Sequence, residues 1–372
     1  MFHSVACCTP STPRWSTPPP AAPTCRATSN SPPCASPACA GASARRWPRT
    51  APISLFCAAP STTRPRRCRA WPSVPEPTDA AARHIPVLLA EVVEHLRPAP
   101  GRRVLDCTLG LGGHSEALLA GGATVHGVDR DAQARALATA RLAPFGSRFS
   151  VRAGTFADAM EALVREGERF DGVLADLGVS SMQLDDDNRG FSIRSAAQAD
   201  MRMGDGCPRS ALELIDALGQ DELADIIYQY GEERLSRRIA AALKRGRTEG
   251  RLHTGAELAE EIRRVVPGHH QRHPAGRTFQ ALRIAVNDEL GQLDRLLAAL
   301  PALLAPGGRA VVISFHSLED RAVKTDFRDR REAGTYADAA RRVITAGAAE
   351  LSANPRSTPA KLRWAERAGA HP

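Results

Sequence analysis

The chain has 372 residues and a formal net charge of +8, from 49 Lys and Arg against 41 Asp and Glu, a length that allows one large or two moderate domains with a sizeable core. The charge is uneven, because residues 1–75 hold nine Arg, seven of the nine Cys and no Lys, Asp or Glu. The remainder is balanced at 40 basic against 41 acidic side chains, so the global charge says nothing about nucleic-acid binding by a folded part, and no apolar run reaches the roughly 18 residues of a membrane span.

Residues 1–78, rich in Pro, Arg, Ser, Thr and Ala, cannot bury enough apolar surface to offset their chain entropy and are expected to be a disordered extension. Three origins of this stretch stay open: translated DNA upstream of the natural start, an organellar transit peptide, or a genuine arm. After Met1 the next methionine is Met160. Cys107 and Cys207 stand alone without metal or disulfide spacing, which fits a reducing, cytoplasmic compartment.

The first helix is predicted where Leu88, Leu89, Val92, Val93 and Leu96 recur on one side, and it stops before Pro98 and Pro100. A short strand from Arg103 to Cys107 then runs into Thr108, Leu109, Gly110, Leu111, Gly112, Gly113 and His114, with helical residues from Ser115. Glycines there let the backbone turn sharply and approach a ligand, at the carboxyl end of a strand where open α/β sheets bind ligands. A second strand, Thr124 to Val128, delivers Asp129, 19 residues after Gly110, placed to accept from both hydroxyls of a ribose. Helical period follows over Ala132 to Leu142, and a third strand over Phe149 to Arg152 leads to Phe156, which can cover an adenine with its aromatic face or pack as an ordinary core residue. A helix over Ala157 to Arg165 and a fourth strand over Asp171 to Ala175 complete a repeated β-α-β pattern. Asp176 then stands at a strand's carboxyl end, as an acceptor for an ammonium or amino group or as a helix N-cap.

Beyond Asp176 the strand signal stops. Residues 190 to 275 read as helices, one opening with the capping box Ser210 to Glu213 and one ending at Gly231. A helix from Glu232 places Leu235, Ile239 and Leu243 on one face and presents Arg234, Arg237, Arg238, Lys244, Arg245, Arg247 and Arg251 either for phosphate contact or as a solvated basic face. His269, His270 and His273 crowd a loop with no Cys or acidic cluster beside them, and no residue is assigned to a metal. One helix carrying Phe279, Leu282, Val286, Leu290, Leu293 and Leu297 precedes a strand from Arg309 to Phe315. His316 and Ser317 follow, without the glycine-flanked elbow of a hydrolase.

The expected fold class is therefore α/β: a doubly wound, Rossmann-like parallel sheet split by an all-helical insertion. Residues 79–188 and 276–327 form the expected core, 189–275 an inserted subdomain for RNA recognition, and 328–372 a polar connector with a basic segment. That segment, Asn354 to Arg367, carries Arg356, Lys361, Arg363 and Arg367.

Two nucleotide cofactors fit the glycine turn and Asp129. A dinucleotide site seats its pyrophosphate on a third glycine, where this chain has Ser115; S-adenosylmethionine has no phosphate to cradle. A nicotinamide-dependent oxidoreductase and a noncatalytic RNA-binding ribosome-assembly factor remain the alternatives from other classes.

The stretches His84 to Leu89, Asp106 to Ser115, Gly127 to Asp131, Asp171 to Leu184, Arg189 to Phe191, Asp200 to Met203, Tyr230 to Arg238, His273 to Leu290 and Ala305 to Arg321 together resemble the bacterial 16S ribosomal RNA cytosine N4-methyltransferase family. Asp176 to Ser181, Thr278 to Arg283 and Ser314 to Arg321 are its most specific segments. The resemblance implies a methyltransferase sheet, S-adenosyl-L-methionine as cofactor, and 16S ribosomal RNA or the small subunit, at a decoding-centre cytidine, as partner. It places cofactor contacts on Gly112, Gly113, His114, Asp129, Phe156, Asp176 and Gln183. Asp176 is also the candidate catalytic acceptor for an N–H of the target amino group. Met182 in place of the usual Pro, Gly276, a short connector and Ser357-Thr358-Pro359 depart from the family pattern.

Overall fold

A computed structural model describes residues 85–204, 206–267 and 273–369. The expected extension over 1–78 and the residues His269 and His270 lie outside the described residues.

Helix α1 (Leu89–Leu96) leads into strand β1 (Arg103–Asp106), helix α2 (Gly113–Ala120), β2 (Thr124–Asp129), α3 (Ala132–Leu142), β3 (Phe149–Ala153), α4 (Phe156–Arg165) and β4 (Phe170–Asp176). A short helix α5 (Ser181–Asp185) opens the inserted part, which continues as α6 (Ala211–Ala217), α7 (Gln220–Gly231), α8 (Ser236–Thr248), α9 (Gly255–Val265) and α10 (Gly276–Asn287). The chain returns through α11 (Glu289–Leu303), β5 (Leu304–Ser314), α12 (Ser317–Glu332), β6 (Tyr336–Ala339), α13 (Ala348–Ala353) and β7 (Lys361–Arg367).

The seven strands form one sheet in the order β3-β2-β1-β4-β5-β7-β6. Strand alternation decides how its faces are covered. Val104, Leu174 and Val311 pack with α1, α2 and α3 on one face, while their neighbours Leu105, Val173 and Val312 pack with α4, α11 and α12 on the other. The sheet is thus doubly wound, and the chain reverses direction of growth between β1 and β4. A crevice opens at that switch point, beyond the carboxyl ends of the strands.

Three expectations are corrected. The sheet is mixed rather than parallel, since β7 runs antiparallel to both β5 and β6. The stretch expected to be a connector and basic segment supplies those two strands. Within β7, Leu362 and Ala365 join the core and Arg363 is buried against Asp320 at 2.6 Å; Arg356 pairs with Asp185. The single helix expected across Phe279 to Leu297 breaks at Asp288, whose φ of 51° is left-handed. That break moves the chain between two cores. Phe279, Leu282 and Val286 of α10 pack with α6 to α9, whereas Leu293, Leu296, Leu297, Leu300 and Leu303 of α11 pack on the sheet. Helix α10, expected with the sheet, therefore belongs by its packing to the helical core.

The basic helix also divides. Arg234, Arg237 and Arg238 are exposed and make no ion pair among the described residues. Lys244 Nζ instead donates to the carbonyls of Ile215, Asp216 and Leu218 at 3.0, 3.1 and 2.8 Å, closing the end of α6. Arg247 is bound to Asp216 and to the Leu252 carbonyl, and Arg251 to Glu249 and Glu261. Replacing Lys244 with Met is expected to cost about 1–3 kcal/mol of stability, because part-buried carbonyls lose a charged donor. Denaturant midpoints of the two proteins check this, and equal midpoints would show the ammonium to be dispensable. Among the described residues, no helix is long and apolar enough to cross a membrane.

Candidate functional site

A cavity of about 490 Å³ occupies the switch-point crevice. Its floor is built by strand ends. Thr108 to Gly110 follow β1, Asp129 closes β2, Thr155 and Phe156 follow β3, and Asp176 closes β4.

The glycine turn is tied to both neighbours. Gly110, at φ 52°, donates its N–H to Asp129 Oδ2 at 2.8 Å, and the second carboxylate oxygen accepts from Asp131 N at 2.8 Å. Burial raises Asp129 above the usual carboxylate range, against the pull of those two backbone donors. Ser115, in the place a dinucleotide site gives to glycine, is buried and donates its hydroxyl to Asp106 Oδ2 at 2.6 Å. Asp106 is itself fully enclosed and pushed up to about 6 by desolvation.

Asp176 is strongly perturbed. Its N–H donates to Thr108 Oγ1 at 2.7 Å, which fixes the backbone. Its Oδ1 is buried without a hydrogen-bond partner among the described residues. Desolvation, with Asp106 and Glu319 adding repulsion, pushes the carboxyl up to about 8. His114 Nδ1 lies 3.8 Å from Oδ2. Since His114 Nε2 donates to the Val87 carbonyl at 2.9 Å, Nδ1 presents a lone pair, and burial lowers the ring to about 4, keeping it neutral.

Of the seven expected contacts, Gly113, His114, Asp129, Phe156, Asp176 and Gln183 line the cavity. Gly112 does not. At φ 77° it makes the left-handed turn into α2, and an added Cβ would lie 3.1 Å from Leu142 and 3.4 Å from Ala138, so it faces α3. Gln183 lines the wall with its hydrogen bonds already made: Nε2 donates to Asp131 and to the Met203 carbonyl, and Oε1 accepts from Ser180 N. It holds the loops together. Residues with no role assigned from sequence also line the cavity, among them Thr108, Arg283 and Phe315. Arg283 and Phe315 sit inside family-like segments, which is the signal that marks them.

Glu289, His316 and Glu319 bring ligand-type atoms within 4.8 Å of one another. Arg283 already occupies Glu289 through two bonds of 2.7 and 2.8 Å, and Glu319 Oε2 accepts from Phe315 N and His316 N. The cluster thus anchors the turn after β5, with His316 Nε2, 3.2 Å from Glu319 Oε1, left without a hydrogen bond among the described residues.

The donor set favours one kind of ligand. Asp106, Asp129 and Asp176 gather carboxyl groups around the glycine turn, and Ser115 leaves no third glycine, which opposes a pyrophosphate. A nucleoside bearing positive charge at its other end would meet, in Asp129, an acceptor suited to a ribose and, in Asp176, an acid suited to a cation.

The profile of the MraW methylase family matches residues 81–368. The chain is 48% identical over 299 residues to the ribosomal RNA small subunit methyltransferase H of Sorangium cellulosum, covering 79% of this chain and 94% of that one. It is 49% identical over 289 residues to the protein of the same name from Deinococcus radiodurans, covering 77% and 90%. With that match spanning the sheet, the glycine turn and the helical insertion, the chain belongs to the MraW methylase family.

Proposed function

We propose that the chain transfers a methyl group from S-adenosyl-L-methionine to the N4 amino group of a cytidine in 16S ribosomal RNA, in the small-subunit decoding centre. The observation that carries this reading is Asp176: a part-buried carboxyl whose Oδ1 is buried and unpartnered among the described residues, at the strand end where the glycine turn and Asp129 would hold a nucleoside. The family likeness to small-subunit ribosomal RNA methyltransferases supports the substrate class.

When bound, adenosylmethionine supplies an electrophilic sulfonium methyl. The chain's own residues align the partners, which is worth on the order of 7–11 kcal/mol for reactants held in near-attack geometry. A cytosine amino group has its lone pair delocalised into the ring. Asp176 in its ionised form accepts one N–H, concentrating that lone pair on N4, and takes the proton that leaves as the C–N bond forms. Asp129 orients the ribose and Phe156 covers the adenine.

The reading has a pH signature. With its pKa near 8, Asp176 is mostly protonated at pH 7 in the empty site. A cationic ligand favours the carboxylate, so binding below pH 8 expels a proton, and affinity rises with pH until it levels off above that value. Calorimetry at pH 7 in two buffers of different ionisation heat is expected to report proton release, lost in Asp176→Asn. Equal release from both proteins would remove Asp176 from the cofactor's surroundings.

The function itself is tested by mass spectrometry of 16S RNA from a deletion strain. Loss of one N4-methyl group from cytidine is expected; an unchanged nucleoside profile would overturn the assignment.

A further inference from the structure

A second cavity, of about 420 Å³, lies beside the first and shares Leu184, Arg283 and Phe315 with it. We propose that this second cavity receives the target pyrimidine after it has been unstacked from the RNA, with its amino edge turned to the shared wall. The proposal rests on the cytosine N4 reading given above and adds where the base is held.

An amino group on a base stacked in a helix cannot reach a methyl donor enclosed at strand ends, so the nucleotide must swing out into a pocket of its own. The second cavity has the walls such a base needs. Phe191, Ile193, Met201, Phe279 and Phe315 surround it with apolar and aromatic surface, against which the faces of a single base can stack. Its position is right as well. Gly178, two residues after Asp176, is so close to Phe315 that an added Cβ would sit 3.7 Å from the ring. The Asp176 segment therefore reaches the wall that the two cavities share.

Arg283 completes the edge. Its Nε and Nη2 are held by Glu289, so its charge is matched and its plane fixed. Nη1 makes no hydrogen bond among the described residues, leaving a donor at the seam for a pyrimidine carbonyl such as O2. A base set this way offers O2 to Arg283 and its exocyclic amino group to Asp176. Both contacts come from the same edge of cytosine.

Gly276 lines the second cavity and is exposed, and a Cβ there meets nothing within 4 Å. Gly276→Trp and Ile193→Trp are therefore chosen to fill the second cavity, and neither residue lines the first. The experiment measures three quantities for each protein: affinity for S-adenosylhomocysteine, affinity for unmodified small subunits, and tritium transfer from labelled adenosylmethionine. Both affinities are expected to stay close to those of the unmodified protein while transfer falls by about 100-fold or more, the scale set by misplacing a reactant. Transfer at the unmodified rate by both variants overturns the proposal.

If either variant loses cofactor binding, the unmodified protein decides. Saturation transfer from the protein to H5 and H6 of cytidine 5′-monophosphate, seen with S-adenosylhomocysteine bound, supports a base site, and its absence overturns one. Digestion of the labelled RNA scores the underlying reading separately. A label found away from N4 of cytidine would end that reading, whereas the rate comparison would still report on the cavity.

Discussion

Asp129→Ala is expected to weaken adenosylmethionine binding by about 1.5–3 kcal/mol or more, roughly ten- to 150-fold, the range for a lost charge-assisted hydrogen bond. The structure gives reasons for the upper end. Each carboxylate oxygen already accepts one backbone N–H, from Gly110 and from Asp131, and has a lone pair left for a ribose hydroxyl. Alanine removes the proposed ribose acceptor and also unties the glycine turn from β2, leaving two donors unsatisfied in a part-buried place. Asp129→Asn should recover only part of the loss, because its NH2 end must face one of those donors. Isothermal titration checks both, and an unchanged affinity for the alanine protein would remove Asp129 from the cofactor site.

The second large effect is expected from Arg234, Arg237 and Arg238 replaced together by Gln. These are the basic side chains around the start of α8 that make no ion pair among the described residues, so they remain available to phosphate. Three lost phosphate contacts reduce the slope of log affinity against log salt by roughly two to three units. Weaker RNA binding should be accompanied by unchanged cofactor affinity, since none of the three lines the cavity proposed for the cofactor. Should the slope stay that of the unmodified protein, this basic face is only solvated. Lys244 is left out of the set because it is spent on the end of α6.

The alternation of strand and helix over residues 103–176 was legible because each element there obeys its own period, and the ligand-facing residues follow strand ends at once. The break at Asp288 was not. Leu290, Leu293 and Leu297 continue the helical spacing of Phe279, Leu282 and Val286, so hydrophobic period alone runs through a point where the chain leaves one core for another. Strand β7 was hidden by its charges. Arg363 looks like an RNA-binding side chain in sequence, and only the fold brings Asp320 to it. At the site, the glycines of the turn look alike in sequence, yet Gly113 lines the cavity against Pro86 and Gly112 faces α3. Arg283 and Phe315 reach the site from more than 100 residues beyond Asp176, through topology that local pattern does not specify.

The placement of β7 between β5 and β6 has a consequence for synthesis. The ribosome delivers β5 first, then β6, and only later the strand that must lie between them. Until β7 emerges, β5 presents one edge unpaired beside apolar Val311, Val312 and Ile313, a ready template for wrong pairing. Release of Lys361–Arg367 from the exit tunnel is thus the event that seals the sheet, and a nascent chain stalled before it is expected to need chaperone protection that the finished protein does not.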